Sequence, residues 1–179
     1  GSSWRVVWQA PSRISNHIGV AVPSLVHSDS VPLHAFAANR RSVEHVSVSG
    51  AQHTQHASAH TPERRSDVTC IGCCADMMMS TPAAQPVLVG HRNGVVRLWD
   101  PSAGSSPPQL STAFTCGSTV VSLVPAAASF YVVSQSLDSK LCTWDCRYLK
   151  TPVLSYSGHT NEHKLLGFHP AVDQRNEFL

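Results

Sequence analysis

The sequence predicts an antiparallel all-β chain, and three observations carry that reading. From Asp67 onward, apolar runs of four to seven residues alternate with Gly, Pro, Asn, Asp and Ser. No segment of useful length repeats its apolar residues at the 3.6-residue period of a helix. One stretch also recurs: GHRNGVVRLWD (Gly90 to Asp100) aligns without a gap on QSLDSKLCTWD (Gln135 to Asp145), so that Trp99 and Trp144 stand 45 residues apart. Short, evenly spaced strands with turn residues between them indicate antiparallel pairing. Self-similarity at a fixed period indicates one supersecondary unit built more than once.

Residues 1–66 have a different character. WRVVWQ (Trp4 to Gln9) and HIGVAV (His17 to Val22) read as strands from their Val, Ile and Trp content, and VEHVSVSG (Val43 to Gly50) alternates as a half-buried strand does. AQHTQHASAHTPERRS (Ala51 to Ser66) is polar and lacks large apolar residues. It cannot bury enough surface to offset its ordering entropy, so it reads as a mobile loop. Within it His53, His56 and His60 fall at i, i+3 and i+7, one face of a helix if a helix formed. No carboxylate or thiolate stands beside them, and they read as surface histidines rather than metal ligands. Met77, Met78 and Met79 read as gap-filling residues.

In the repeating region, 67–179, each unit shows a strand, a tight turn and a returning strand. Val87-Leu88-Val89 and Val132-Val133-Ser134 are the outgoing strands. Asn93 and Asp138 sit six residues before the tryptophans, at the turn, and Val96 and Leu141 sit three before. A third partial match opens with Gly158-His159 and continues through Leu166, Phe168 and Pro170.

Composition narrows the function. The formal charge is +2, with 13 Lys and Arg in 179 residues and no dense basic run, which is no footprint for nucleic acid. No run of 18 apolar residues exists to span a bilayer as a helix. The start has no charged-then-apolar leader pattern, which points to a reducing compartment and free thiols. Cys70, Cys73 and Cys74 resemble half a zinc site, but four ligands are needed and no second pair stands nearby. The flanking VTCIGCC reads as a buried strand instead. No nucleophile motif, phosphate loop or paired carboxylate site is present, and Gly117-Ser118-Thr119 has no histidine at informative spacing. The chain therefore reads as a non-enzyme with no cofactor, no metal, no direct nucleic acid and no membrane partner.

The region from Asp67 to the end resembles WD-repeat proteins, whose repeats of about 40–45 residues fold as four-stranded propeller blades. The resemblance implies a partial β-propeller of two to three blades. Trp99 and Trp144 would fill the space between blades, and Asn93, Trp99, Asp100, Gly158 and His159 would hold blade structure. The family's turn Asp typically bonds the His of its Gly-His opening. Here Cys116 stands where the partner of Asp138 belongs, Asn93 replaces the other Asp, and Arg64 or a neighbour replaces the other His, so packing must do more and the polar network less. No Trp-Asp follows Gly158-His159 before Leu179. The expectation is a fragment truncated at its C-terminal side.

Ser136-x-Asp138-x-x-Leu141-x-x-Trp144-Asp145-x-Arg147 further resembles the docking box of WD-repeat substrate receptors. With Gly90-His-Arg-Asn-Gly and the Tyr156-x-Gly-His-x-Asn-Glu turn, it is similar to the cullin-4-associated WD-repeat factor four family. That resemblance implies a ubiquitin-ligase substrate receptor. Asp138, Leu141, Trp144, Asp145 and Arg147 would dock on the damaged-DNA-binding adaptor and cullin-4 ligase core, and an unknown substrate protein would bind elsewhere. The implied location is nucleus or cytoplasm. The alternative is a WD-repeat scaffold of another complex, in which Arg147 is ordinary surface charge.

Overall fold

The computed structural model describes residues 20–21, 33–38, 41–49, 52–60, 66–73, 86–100, 110–125 and 130–160. They form twelve strands: β1 (Val20–Ala21), β2 (Leu33–Ala38), β3 (Ser42–Ser49), β4 (Gln52–His60), β5 (Val68–Cys73), β6 (Val87–His91), β7 (Val95–Trp99), β8 (Leu110–Thr115), β9 (Val120–Pro125), β10 (Tyr131–Ser136), β11 (Leu141–Asp145) and β12 (Leu154–Tyr156). Each consecutive group of four makes one sheet in chain order, β1 to β4, β5 to β8 and β9 to β12. Every pairing is antiparallel. The first strand of each sheet lies beside the first strand of the next, β1 against β5 and β5 against β9. The architecture is all-β and that of a partial propeller, with three four-stranded blades among the described residues.

The second and third blades follow the repeat. In the turn between β6 and β7, the Gly94 amide donates to the His91 carbonyl at 3.0 Å. Gly94 has a φ of +84°, the left-handed conformation that closes such a turn without a Cβ penalty. The Asn93 side-chain oxygen accepts from the Val95 amide at 3.1 Å, as a turn asparagine does. The turn between β10 and β11 repeats this with Ser139 at a φ of +60°. The equal spacing of Asn93 and Asp138 before their tryptophans thus reflects equal turn positions.

The first blade corrects one expectation. Gln52–His60, which the sequence reads as mobile loop, is β4, paired with β3 from Ser42↔His60 to Ser49↔Gln52. A strand at the edge of a sheet can be held by backbone pairing with its inner neighbour, so it needs little apolar content of its own. The helical face that would gather His53, His56 and His60 does not form. Of the strand expected over His17–Val22, Val20–Ala21 is β1 and the rest lies outside the described residues, while Val43 to Ser49 of VEHVSVSG falls in β3. Trp4–Gln9, Arg64, Cys74, Met77–Met79 and the Leu166–Pro170 run lie outside the described residues.

Blade faces pack through two cores. Between the first and second blades, Phe36, Ala38 and Val43 meet Val68, Ile71, Val87, Val89 and Trp99. Between the second and third, Cys70, Leu88, Val96, Phe114 and Cys116 meet Val120, Leu123, Val132, Trp144 and Cys146. Trp99 and Trp144 each pack back onto an aromatic of the preceding blade. Trp99 meets Phe36 edge-on at 6.0 Å, and Trp144 stacks on Phe114 at 3.9 Å. Such residues anchor a seam, since truncating a buried Trp costs about 3–5 kcal/mol. At Gly72 a Cβ would stand 2.7 Å from the Leu123 carbonyl oxygen, so β5 can lie this close to β9 only without a side chain there.

Candidate protein-docking site

The third blade presents its two ends very differently. At one end, β11 finishes on Trp144-Asp145 and the chain turns through Cys146 and Arg147. Cys146 is buried, and its amide donates to the Phe130 carbonyl at 2.7 Å, which ties this turn to the start of β10. With Cys146 pointing inward, Arg147 is thrown outward. Its guanidinium does not hang free: Nε donates to Asp145 Oδ1 at 2.9 Å and Nη2 to Asp145 Oδ2 at 2.7 Å, while the Arg147 amide also donates to Oδ1 at 2.9 Å. The guanidinium carbon of the same fork lies over the Phe130 ring, 4.5 Å from its centroid. The side-chain hydrogen bonds from Arg147 hold the Asp145 carboxyl below its ordinary value, and Asp145 in turn raises Arg147.

This fixes an arginine without covering it, for its side chain is 56% exposed. Of the five N–H donors of a guanidinium, three stay directed away from Asp145. Tyr148, 60% exposed, follows directly, with the Lys150 ammonium 5.6 Å from its ring centroid. Phe130 is 39% exposed. Arg, Tyr and Phe held at low entropic cost are the residue types from which protein interfaces draw most of their binding energy.

At the other end Asp138 accepts from the Ser136 hydroxyl at 2.5 Å and pairs with Lys140 at 3.0 Å. Partial burial works against its ionisation, but the hydroxyl and the ammonium outweigh it and hold the carboxyl below its ordinary value. The residues of the docking box are therefore not on one surface. Asp138 lies at the far end of β11 from Arg147, roughly 15–20 Å away at about 3.3 Å of rise per residue. Leu141 is half-buried, and Trp144 is buried in the core between blades. Only Asp145 and Arg147 meet at a partner-accessible place. Asp138, itself exposed, stands at the other end of the blade, and Trp144 packs within it.

The polar interior is rebuilt around a residue the motif does not mark. Ser134 on β10 accepts from the indole nitrogen of Trp144 at 2.8 Å and from the Cys116 thiol at 3.7 Å. Cys116 thus keeps a polar link from the place expected for a histidine, though to Ser134 rather than to Asp138. In the second blade the Ser66 hydroxyl, two residues before β5, accepts from the Asn93 amide at 3.0 Å, while Arg64, the position equivalent to Cys116, lies outside the described residues. Asp100 is half-buried at the end of β7, Gly158 closes the turn after β12 at a φ of +91°, and His159 is half-buried beyond it. Among the described residues, no helix is long and apolar enough to cross a membrane.

No family model matches the chain, and no curated protein matches it. Solved structures do. U3-55K aligns with a TM-score of 0.50 at 20% identity over 70% of this chain and 36% of its own. The C-terminal WD40 domain of Sif2 aligns with a TM-score of 0.51 at 14% identity over 79% of this chain and 39% of its own. At these identities the likeness shows the fold, a WD-repeat β-propeller, of which this chain spans less than half the length present in those two structures.

Proposed function

We propose that this chain is a protein–protein interaction module that docks on a partner protein through the Arg147 end of its third blade. In the fuller form of this proposal, the partner is the damaged-DNA-binding adaptor of a cullin-4 RING ubiquitin ligase, and the parent protein is a substrate receptor in the nucleus or cytoplasm. The chain itself does no chemistry. It holds a partner on one side and leaves the remaining blade surfaces for the protein to be modified.

The observation that supports this reading is the immobilised fork of Arg147, braced by Asp145 and Phe130 beside an exposed Tyr148. An exposed ion pair stabilises a fold little, so stability alone is a weak reason for this arrangement. A planar cation held in one orientation with donors to spare suits carboxylates or main-chain carbonyls of a partner. The test is retention of the adaptor by the full-length parent carrying Arg147, Arg147→Ala or Arg147→Lys, at equal solubility. Retention by the wild type alone supports the receptor. Retention by none of the three leaves the general WD-repeat scaffold, in which Arg147 serves another partner or none.

A further inference from the structure

We propose that Thr151 is a phosphorylation site for a proline-directed protein kinase, and that its phosphate switches off docking through Arg147. The second half rests on the docking reading above. The first half stands on the connection between β11 and β12 alone.

That connection runs from Cys146 to Val153. It is pinned at both ends, by the buried Cys146 and by the Val153 amide donating to the Thr143 carbonyl at 2.8 Å. Leu149 packs partly on the core between the second and third blades. Lys150, Thr151 and Pro152 then run exposed, outside any strand. No hydrogen bond ties the Thr151 hydroxyl to another described residue. Pro152 has no amide to donate and a fixed φ, and it biases Thr151 toward an extended backbone. Thr151 stands at a bend after the turn at Leu149 and Lys150, its hydroxyl exposed at the surface with proline next, and a proline-directed kinase reads that exposed dipeptide once it seats the segment in its cleft. Thr61-Pro62, Thr81-Pro82 and Ser106-Pro107 repeat the dipeptide, and all three lie outside the described residues.

The chemistry is a simple transfer. The Thr151 Oγ1 attacks the γ-phosphorus of ATP, the Oγ1–P bond forms as the bond to the ADP oxygen breaks, and the hydroxyl proton goes to the kinase base. The product carries roughly −1.5 to −2 charges at neutral pH. Asp145, Arg147 and Lys150 together carry a formal charge of +1 at this end of the blade. The phosphate reverses that sign. It stands next to Lys150 and at most ~15 Å of chain from Arg147, four Cα steps away. A partner selected for carboxylates or carbonyls then meets repulsion. The phosphate also competes with Asp145 for the fork, which would turn Arg147 away from its outward orientation.

The experiment uses the intact parent protein, a purified proline-directed Ser/Thr kinase and ATP, with phosphosites mapped by mass spectrometry and adaptor retention measured before and after. The expected result is phosphate on Thr151, its loss in Pro152→Ala, and a drop of tenfold or more in adaptor retention for wild type but not for Thr151→Ala treated alike. Phosphate on the other Thr-Pro or Ser-Pro dipeptides with Thr151 untouched overturns the site. Thr151 modified with adaptor retention unchanged overturns the switch. Should no adaptor be retained even before treatment, the docking reading fails and takes the switch with it, while a phosphate mapped to Thr151 still establishes the site.

Discussion

The indole nitrogen of Trp144 donates to the Ser134 hydroxyl at 2.8 Å, whereas the same atom of Trp99, one blade earlier, is buried without a hydrogen-bond partner. The register explains the difference. Val132 pairs with Trp144 and Val87 with Trp99, so the position of Ser134 is occupied in the second blade by Val89. The seam between the second and third blades is therefore both packed and wired, by Phe114 stacking and by Ser134. The seam between the first and second blades relies on packing around Phe36 and Trp99.

Ser134→Ala should leave the Trp144 indole N–H and the Cys116 thiol, both buried, without their acceptor. Such an orphaned donor costs about 1–3 kcal/mol. Combined with Trp144→Phe, the loss should be smaller than the sum of the two single changes, because the second removes the donor that the first orphans. Chemical denaturation of the two single variants and the double checks this, with a coupling of about 1 kcal/mol expected and strict additivity against it.

The two equivalent turn positions predict changes of opposite sign. Ser139 holds a φ of +60° with a Cβ, and Gly94 a φ of +84° without one. Ser139→Gly should raise stability by up to about 1 kcal/mol, since relief of the left-handed conformation outweighs the added chain entropy. Gly94→Ala should lower it by about 2 kcal/mol or more, because its Cβ would also lie 2.7 Å from the Ser118 carbonyl oxygen. Melting temperatures moving in the same direction for both would contradict this account.

Much of the second and third blades was legible in the sequence, since Trp99, Trp144, Asn93 and Asp138 mark turns and strand ends that local chemistry dictates. β4 was not, because an edge strand is held by its neighbour's backbone, and nothing in the polar run Gln52–His60 announces that neighbour. Ser134 carries no signal at the turn or the tryptophan, and only its contrast with Val89 at the equivalent position marks it. The separation of Asp138 from Arg147 was readable from the length of β11. The bracing of Arg147 by Phe130 was not, as it depends on how Phe130, just before β10, meets the turn after β11.

Acid should weaken the third blade in a way that Arg147 controls. Asp145 titrates below its ordinary value of 3.8 in the folded chain because Arg147 donates to its ionised form. A carboxyl depressed on folding contributes stability that is present above its unfolded value and is lost as pH falls through the folded one. Asp138, also depressed, adds to the same window. Stability should therefore decline from about pH 4 downward. Arg147→Ala should flatten that decline by removing the share of Asp145, while Asp138 keeps its own. Denaturation midpoints of both proteins between about pH 6 and pH 2 test this; parallel curves would show that the fork contributes nothing to folding.

Thiol reactivity gives the last prediction and probes both cores at once. Burial pushes the Cys70 thiol up to about 12 and the Cys116 thiol up to about 11, the Ser134 hydroxyl and Thr69 only partly opposing it. Reaction needs the thiolate and access, and these two groups have neither near neutral pH. Cys146 is buried as well, whereas Cys142 is only half-buried, its sulfur 3.6 Å from the Ser155 hydroxyl on the outer strand β12. Of these four thiols Cys142 should be alkylated first at pH 8, with Cys70 and Cys116 modified only when the seam between the second and third blades opens. Ser134→Ala loosens that seam, so it should speed modification of Cys116 more than that of Cys142. Raising the pH adds a second signature. A thiol whose value is raised on folding contributes stability that is complete below about pH 9 and lost as pH rises toward 11–12. Alkaline unfolding should therefore expose Cys70 and Cys116 together. Early labelling of either one in the folded chain at pH 8 would mean that the core between these blades is open to solvent.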